Sequence, residues 1–126
     1  MSNRELILDG TKIAWHLEKV QQWERGERFA PITIDMALTR ACNYACSFCY
    51  AQMQENKRSI ITKKVMDDFL DDCGEMGVKA ISFISDGEST ISPLFVDAVK
   101  KGYENGINMS AASNAFVLTK KIAEKV

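Results

Sequence analysis

The chain has 126 residues, 46% of them hydrophobic, which is enough for one well-packed core and leaves little room for a second. Sixteen basic residues against 17 acidic ones give a formal charge of -1, so the composition excludes the strongly basic balance of a nucleic-acid or membrane-surface binder. Met1 to Glu5 lacks an apolar signal core, and no run approaches the roughly 18 apolar residues of a membrane span, so a cytoplasmic protein with no membrane partner is expected.

Asp9-Gly10-Thr11 predicts a turn leading into a helix, with Ile13, Leu17, Val20 and Trp23 at near-helical spacing up to Gly26. His16, the only histidine, lies beside that apolar stripe and is expected to pack rather than ligate. Trp15 and Trp23 are expected to be packing anchors. A charged linker, residues 24–28, precedes Pro31, and the run from Ile32 to Leu38 has strand character.

Three of the four cysteines follow at once, in Cys42-Asn43-Tyr44-Ala45-Cys46-Ser47-Phe48-Cys49. Thiolates bind soft metals and iron-sulfur clusters, and three on one short loop can wrap three corners of a cubane, leaving the fourth open. In a reducing compartment such spacing favours metal or redox chemistry over a disulfide.

Thr62 is placed to cap a helix running to about Met76, with Val65, Met66, Phe69, Leu70, Cys73 and Met76 on one face and Gly77 past its end. Cys73 on that stripe is expected to be a small core residue, not a fourth ligand. Val78 to Ile84 predicts a second strand leading into Ser85-Asp86-Gly87-Glu88-Ser89-Thr90. Ser92 and Pro93 open another helix, with Leu94, Phe95, Ala98, Val99 and Tyr103 inward, stopped by Asn105-Gly106. Ile107 to Ala111 predicts a third strand leading into Ser113-Asn114-Ala115, and Thr119 starts a last helix. A βαβαβα order with short loops implies a parallel sheet.

The C-x3-C-x-aromatic-C form of residues 42–49 resembles that of the radical S-adenosylmethionine (SAM) superfamily. The stretch from about Pro31 onward resembles the first half of that family's barrel, nearest the branch whose members often carry a C-terminal cysteine-rich SPASM extension. The resemblance implies an α/β fold: about three βα units, the first half of a partial parallel (β/α)6 TIM-like barrel, preceded by an N-terminal helix. Residues 1–30 would be the helical extension and 31–126 the truncated barrel.

The resemblance also implies a radical SAM enzyme with two cofactors, a 4Fe-4S cluster and S-adenosylmethionine. Cys42, Cys46 and Cys49 would ligate three irons, and SAM would chelate the fourth. An electron, from a donor such as flavodoxin or ferredoxin, would cleave SAM to a 5′-deoxyadenosyl radical that abstracts hydrogen from a peptide or small-metabolite substrate. No catalytic residue beyond the cluster is implied.

Phe48 matches the aromatic position that lies against adenine. Gly87 and Glu88 match the family's Gly-Gly-Glu element, where a carboxylate meets the methionyl ammonium. Ser113 and Asn114 match its Thr-Asn-Gly element facing the SAM pocket. Asp86, Ser89 and Ala115 depart from those patterns, standing where the family has glycine, proline and glycine.

A half-barrel exposes a sheet edge, so a fragment or a partner chain completing the barrel is expected. The competing reading is a non-catalytic metal-binding or electron-transfer module. Zinc would need a fourth ligand from Cys73 or His16, a Cys46–Cys49 dithiol would leave Cys42 unexplained, and a ferredoxin-like site would normally need four cysteines.

Overall fold

Three short apolar or β-branched runs form a parallel sheet in the computed structural model, which describes residues 11–53, 59–84 and 86–126. They are β1 (Thr33–Asp35), β2 (Ala80–Phe83) and β3 (Asn108–Ala111), in the spatial order β1-β2-β3. Thr33, Ile34 and Asp35 stand opposite Ala80, Ile81 and Ser82, and Ile81 in turn stands opposite Met109. Each strand pairs with the next in sequence, and a helix lies in each connection: α2 (Lys63–Glu75) before β2 and α3 (Phe95–Glu104) before β3. The short α4 (Lys120–Ala123) follows β3, capped by the Thr119 hydroxyl, which accepts from the Ile122 N–H. The βαβαβα order and the parallel sheet are as the sequence predicts.

Alternation along β2 decides which face is covered. Ile81 and Phe83 are buried while Ala80 and Ser82 are half-buried, so the apolar pair points at the helices. Met66, Leu70 and Cys73 of α2 and Phe95, Ala98 and Gly102 of α3 complete the core. The two helices are tied by Asn105, whose side-chain amide donates to the Leu70 carbonyl at 2.9 Å and to Asp71 Oδ1 at 2.9 Å, and by a Lys101–Asp71 ion pair at 2.7 Å. Gly74 permits this approach, since a Cβ there would stand 2.9 Å from Asn105 Cβ.

The observed stripes are narrower than periodicity alone predicts. Val65 of α2, Met76 just past its end and Tyr103 of α3 were expected inward and are exposed. Only residues one turn apart along a single line, 66, 70 and 73 on α2 and 95, 98 and 102 on α3, reach full burial, because a helix on one sheet face buries little more than a line of contacts. The strands are also shorter than expected: β1 holds three residues of the apolar run from 32 to 38.

Thr62 caps α2 as predicted, its hydroxyl accepting from the Val65 N–H at 3.4 Å. Cys73 is fully buried, and burial pushes its thiol pKa up, Asp72 adding to the effect. Cys73→Ser is therefore expected to lower stability by about 1–3 kcal/mol, through a hydroxyl desolvated in the core, while leaving iron uptake intact. Urea unfolding and iron analysis would check both halves.

The chain forms two compact units, Met1–Ala30 and Pro31–Val126. In the first, a 3-10 turn (Thr11–His16) runs into α1 (Leu17–Glu24), which has no buried residue. The turn expected at Asp9-Gly10 lies outside the described residues. The expectation that Trp15 and Trp23 pack is not met; both are exposed, Trp15 on the 3-10 turn and Trp23 on a helix that buries none of its residues. Among the described residues, no helix is long and apolar enough to cross a membrane.

Candidate functional site

Parallel strands deliver their following loops to one end of the sheet, and the residues singled out by sequence lie on those loops. The first loop leaves β1 through Leu38 and Thr39, both buried. Its root is stapled by backbone bonds: Arg40 N–H donates to the Ser59 carbonyl at 2.9 Å and Ile61 N–H to the Leu38 carbonyl at 3.1 Å, around an antiparallel Thr39–Ile60 bridge. Within the loop, Cys42 is exposed and its sulfur accepts from the Tyr44 N–H at 3.4 Å. Cys46 and Cys49 are half-buried and share a turn in which the Cys49 N–H donates to the Cys46 carbonyl at 3.0 Å. Phe48 is 90% exposed.

The turn after β2 is pressed against that root. Glu88 N–H donates to the Ala41 carbonyl at 2.9 Å. Gly87 has φ +72°, and a Cβ on it would stand 2.7 Å from the Ala41 oxygen and 2.8 Å from the Arg40 carbonyl carbon, closer still to the Thr39 oxygen. The missing side chain at Gly87 thus serves the chain's own backbone packing.

Glu88 is 3% exposed, yet both its oxygens are occupied. Oε1 accepts from the Thr90 hydroxyl at 2.6 Å and the Thr90 N–H at 3.1 Å, and Oε2 accepts from the Asn114 N–H at 2.7 Å. Burial pushes this carboxyl's pKa up, but the Thr90 hydroxyl, the Asn114 and Thr90 amides and the Ser113 hydroxyl together outweigh it, leaving the pKa below its ordinary 4.5. With a folded-state value below the unfolded one, the carboxylate's stabilising contribution is complete above about pH 4.5 and fades as the pH falls through the folded value. Glu88→Gln is accordingly expected to unfold more readily than wild type at neutral pH, with the gap closing in acid. Urea midpoints measured from neutral pH into acid would show it; a gap constant with pH would count against the carboxylate.

The third loop closes on the first. Asn114 Nδ2 donates to Asn43 Oδ1 at 2.9 Å and lies 4.0 Å from the Cys42 sulfur, while its Oδ1 accepts from the Phe116 N–H at 3.0 Å. Ser113 Oγ accepts from the Ala115 N–H at 2.9 Å and lies 3.4 Å from the Thr90 hydroxyl. The Tyr44 and Phe116 rings meet edge-on, with centroids 5.9 Å apart. Ala115 adopts φ 60°, a left-handed conformation that glycine takes without a Cβ penalty.

Cys42, Gly87, Glu88, Ser113 and Asn114 are thereby brought together, whereas Phe48 stands out in solvent. Among the described residues, no three histidine, cysteine, aspartate or glutamate side chains converge closely enough to hold a metal ion. The three thiols share one loop, and in small metal sites binding of the metal itself commonly completes the arrangement of the ligands. As a donor set, three soft thiolates on a short loop suit an iron-sulfur cluster. His16, the alternative ligand, lies in the other unit at the start of α1. Sequence reasoning missed Arg40, Asn43 and Thr90. For Thr90 the signal was present, since a hydroxyl two residues after a turn carboxylate is a common local bonding partner.

Comparison with known proteins gives the same answer as the cysteine spacing. The chain is 27% identical over 107 residues to mycofactocin maturase MftC of Mycobacterium tuberculosis (strain ATCC 25618 / H37Rv), covering 85% of this chain and 27% of that protein. It is 27% identical over 93 residues to an S-adenosylmethionine-dependent nucleotide dehydratase of Flammeovirga pacifica, covering 70% and 32%. The chain thus spans about a quarter to a third of these relatives. Among solved structures, Streptococcus suis SuiB bound to its precursor peptide SuiA superimposes with a TM-score of 0.67 at 19% identity, over 99% of this chain and 29% of SuiB. BtrN in complex with AdoMet and 2-DOIA gives a TM-score of 0.67 at 16% identity, over 79% and 41%. The model of the radical SAM superfamily matches residues 36–126, from the end of β1 through the cysteine loop and all that follows, and the chain belongs to that superfamily.

Proposed function

We propose that this chain is the cluster-bearing part of a radical SAM enzyme that acts on a peptide. The observation that carries the reading is the meeting of the three-cysteine loop with the turns after β2 and β3, through Glu88 N–H to the Ala41 carbonyl and Asn114 to Asn43. The superfamily's 4Fe-4S cluster and SAM supply reductive cleavage to a 5′-deoxyadenosyl radical when both are bound. Cys42, Cys46 and Cys49 would hold the cluster as thiolates. Asn114 positions the loop beside Cys42, and Glu88 fixes the backbone of Asn114 so that the turns after β2 and β3 keep one arrangement. The Glu88 carboxylate, kept ionised by its donors, is the charge that would meet an ammonium group. Gly87, Ser113 and Phe48 complete the set assigned to SAM, Phe48 as an exposed ring available to stack on a base.

A peptide substrate is favoured by the maturase relative and by the precursor peptide on SuiB. An electron donor such as flavodoxin or ferredoxin, and further polypeptide to complete the barrel beyond β3, belong to the same proposal. Anaerobic iron-sulfur reconstitution followed by EPR of the reduced chain, with and without SAM, tests it. A 4Fe-4S signal that changes on adding SAM is expected. Uptake of zinc in its place, or a cluster signal indifferent to SAM, would overturn the reading for this chain.

A further inference from the structure

We propose that Arg40 and Asp86 form a positioning pair that sets the cysteine loop against the cofactor turn. Arg40 Nη2 lies 3.1 Å from Asp86 Oδ2, with the side chains 29% and 18% exposed, so the pair is partly shielded from solvent. Among the described residues it joins three other ties between the same two segments. These are the Glu88 N–H bond to the Ala41 carbonyl, the Leu38 N–H bond to the Ser89 hydroxyl at 3.3 Å, and the close approach of Gly87 to the backbone of residues 39–41. Those three depend on backbone, on one neutral hydroxyl and on the absence of a side chain. Only the ion pair depends on side-chain charge, and a glycine at position 86 would lack it.

Arg40 is also held from the other side, its N–H donating to the Ser59 carbonyl. The residue therefore bridges the returning strand of the loop and the turn after β2, two positions before Cys42. Movement at Arg40 carries Cys42 relative to Glu88 and Asn114, the groups bonded across the site. Arg40 and Asp86 act through the loop backbone and are positioning residues, not catalytic ones. Their bearing on cluster assembly rests on the function proposed above, but the pairing can be tested on the reduced, metal-free chain, so the two ideas fail separately.

The test is amide hydrogen exchange at Glu88, combined with the alkylation rate of Cys42 by iodoacetamide. Arg40→Gln and Asp86→Asn are each expected to speed both by about fivefold, the scale of a partly shielded ion pair, with strand β2 amides unchanged. The double variant should be no faster than either single one, and Arg40→Lys, which keeps the charge, should restore most of the wild-type protection. Unchanged rates, singles that multiply in the double variant, or a lysine variant that behaves like glutamine would each overturn the pairing. Equal acceleration of the β2 amides would also overturn it, by making the pair a general stabiliser.

Discussion

Gly87→Ala is expected to destabilise the chain by about 2–4 kcal/mol, the sum of a left-handed backbone penalty and a steric one. The backbone term arises because φ is +72°. The steric term arises because the new Cβ would meet three consecutive backbone positions, Thr39, Arg40 and Ala41, and backbone cannot rotate aside as a side chain can. Gly77 supplies the control. Its φ is +75°, almost the same, but nothing lies within 4 Å of where its Cβ would be. Gly77→Ala should therefore cost only the backbone term, about 1 kcal/mol. Urea unfolding of the two variants side by side isolates the steric contribution. Equal losses would mean that the cysteine loop is not packed on the Gly87 turn as described.

Replacing any one of Cys42, Cys46 or Cys49 by alanine is expected to reduce iron bound after anaerobic reconstitution by at least about tenfold, since two thiolates cannot hold three corners of a cubane. The three cannot substitute for one another. Cys42 stands alone beside Asn114, while Cys46 and Cys49 share one turn. Nor can the fourth cysteine step in, because Cys73 is fully buried on α2 within the core. Iron analysis and the visible absorption of the reconstituted chains give the measurement. Full iron in Cys46→Ala would remove that residue from the ligand set.

Much of this arrangement is legible in the sequence because it is written locally. The Cys42–Cys49 spacing, the Thr62 cap and Gly77 stop of α2, and the alternation of strand and helix each depend on residues a few positions apart. What escaped depends on distance along the chain. Arg40 and Asp86 are 46 positions apart, and nothing periodic links them. The Thr39–Ile60 bridge joins two segments that each look like loop. Val65, Met76 and Tyr103 carry apolar side chains at helical spacing but fall beside the contact line, and periodicity does not reveal how wide that line will be. Gly102, by contrast, offered no apolar signal and is buried, because its missing Cβ leaves room for the Met109 side chain. Ala115 was recognised as a departure from the glycine pattern, and its φ of 60° gives the physical reason that glycine suits the position.

The backbone bonds joining Arg40 to Ser59 and Leu38 to Ile61 bear on how such a protein can diverge. They set the separation of the loop's two ends without reference to what lies between. Residues 41–44 are held by the turns after β2 and β3, but the connection from Cys49 back to Ser59 carries no cluster ligand. Lengthening or shortening that connection then costs little more than closure entropy, about 0.6 kcal/mol for each doubling of loop length. The ligand spacing and the sheet can stay as they are while the return path is exchanged.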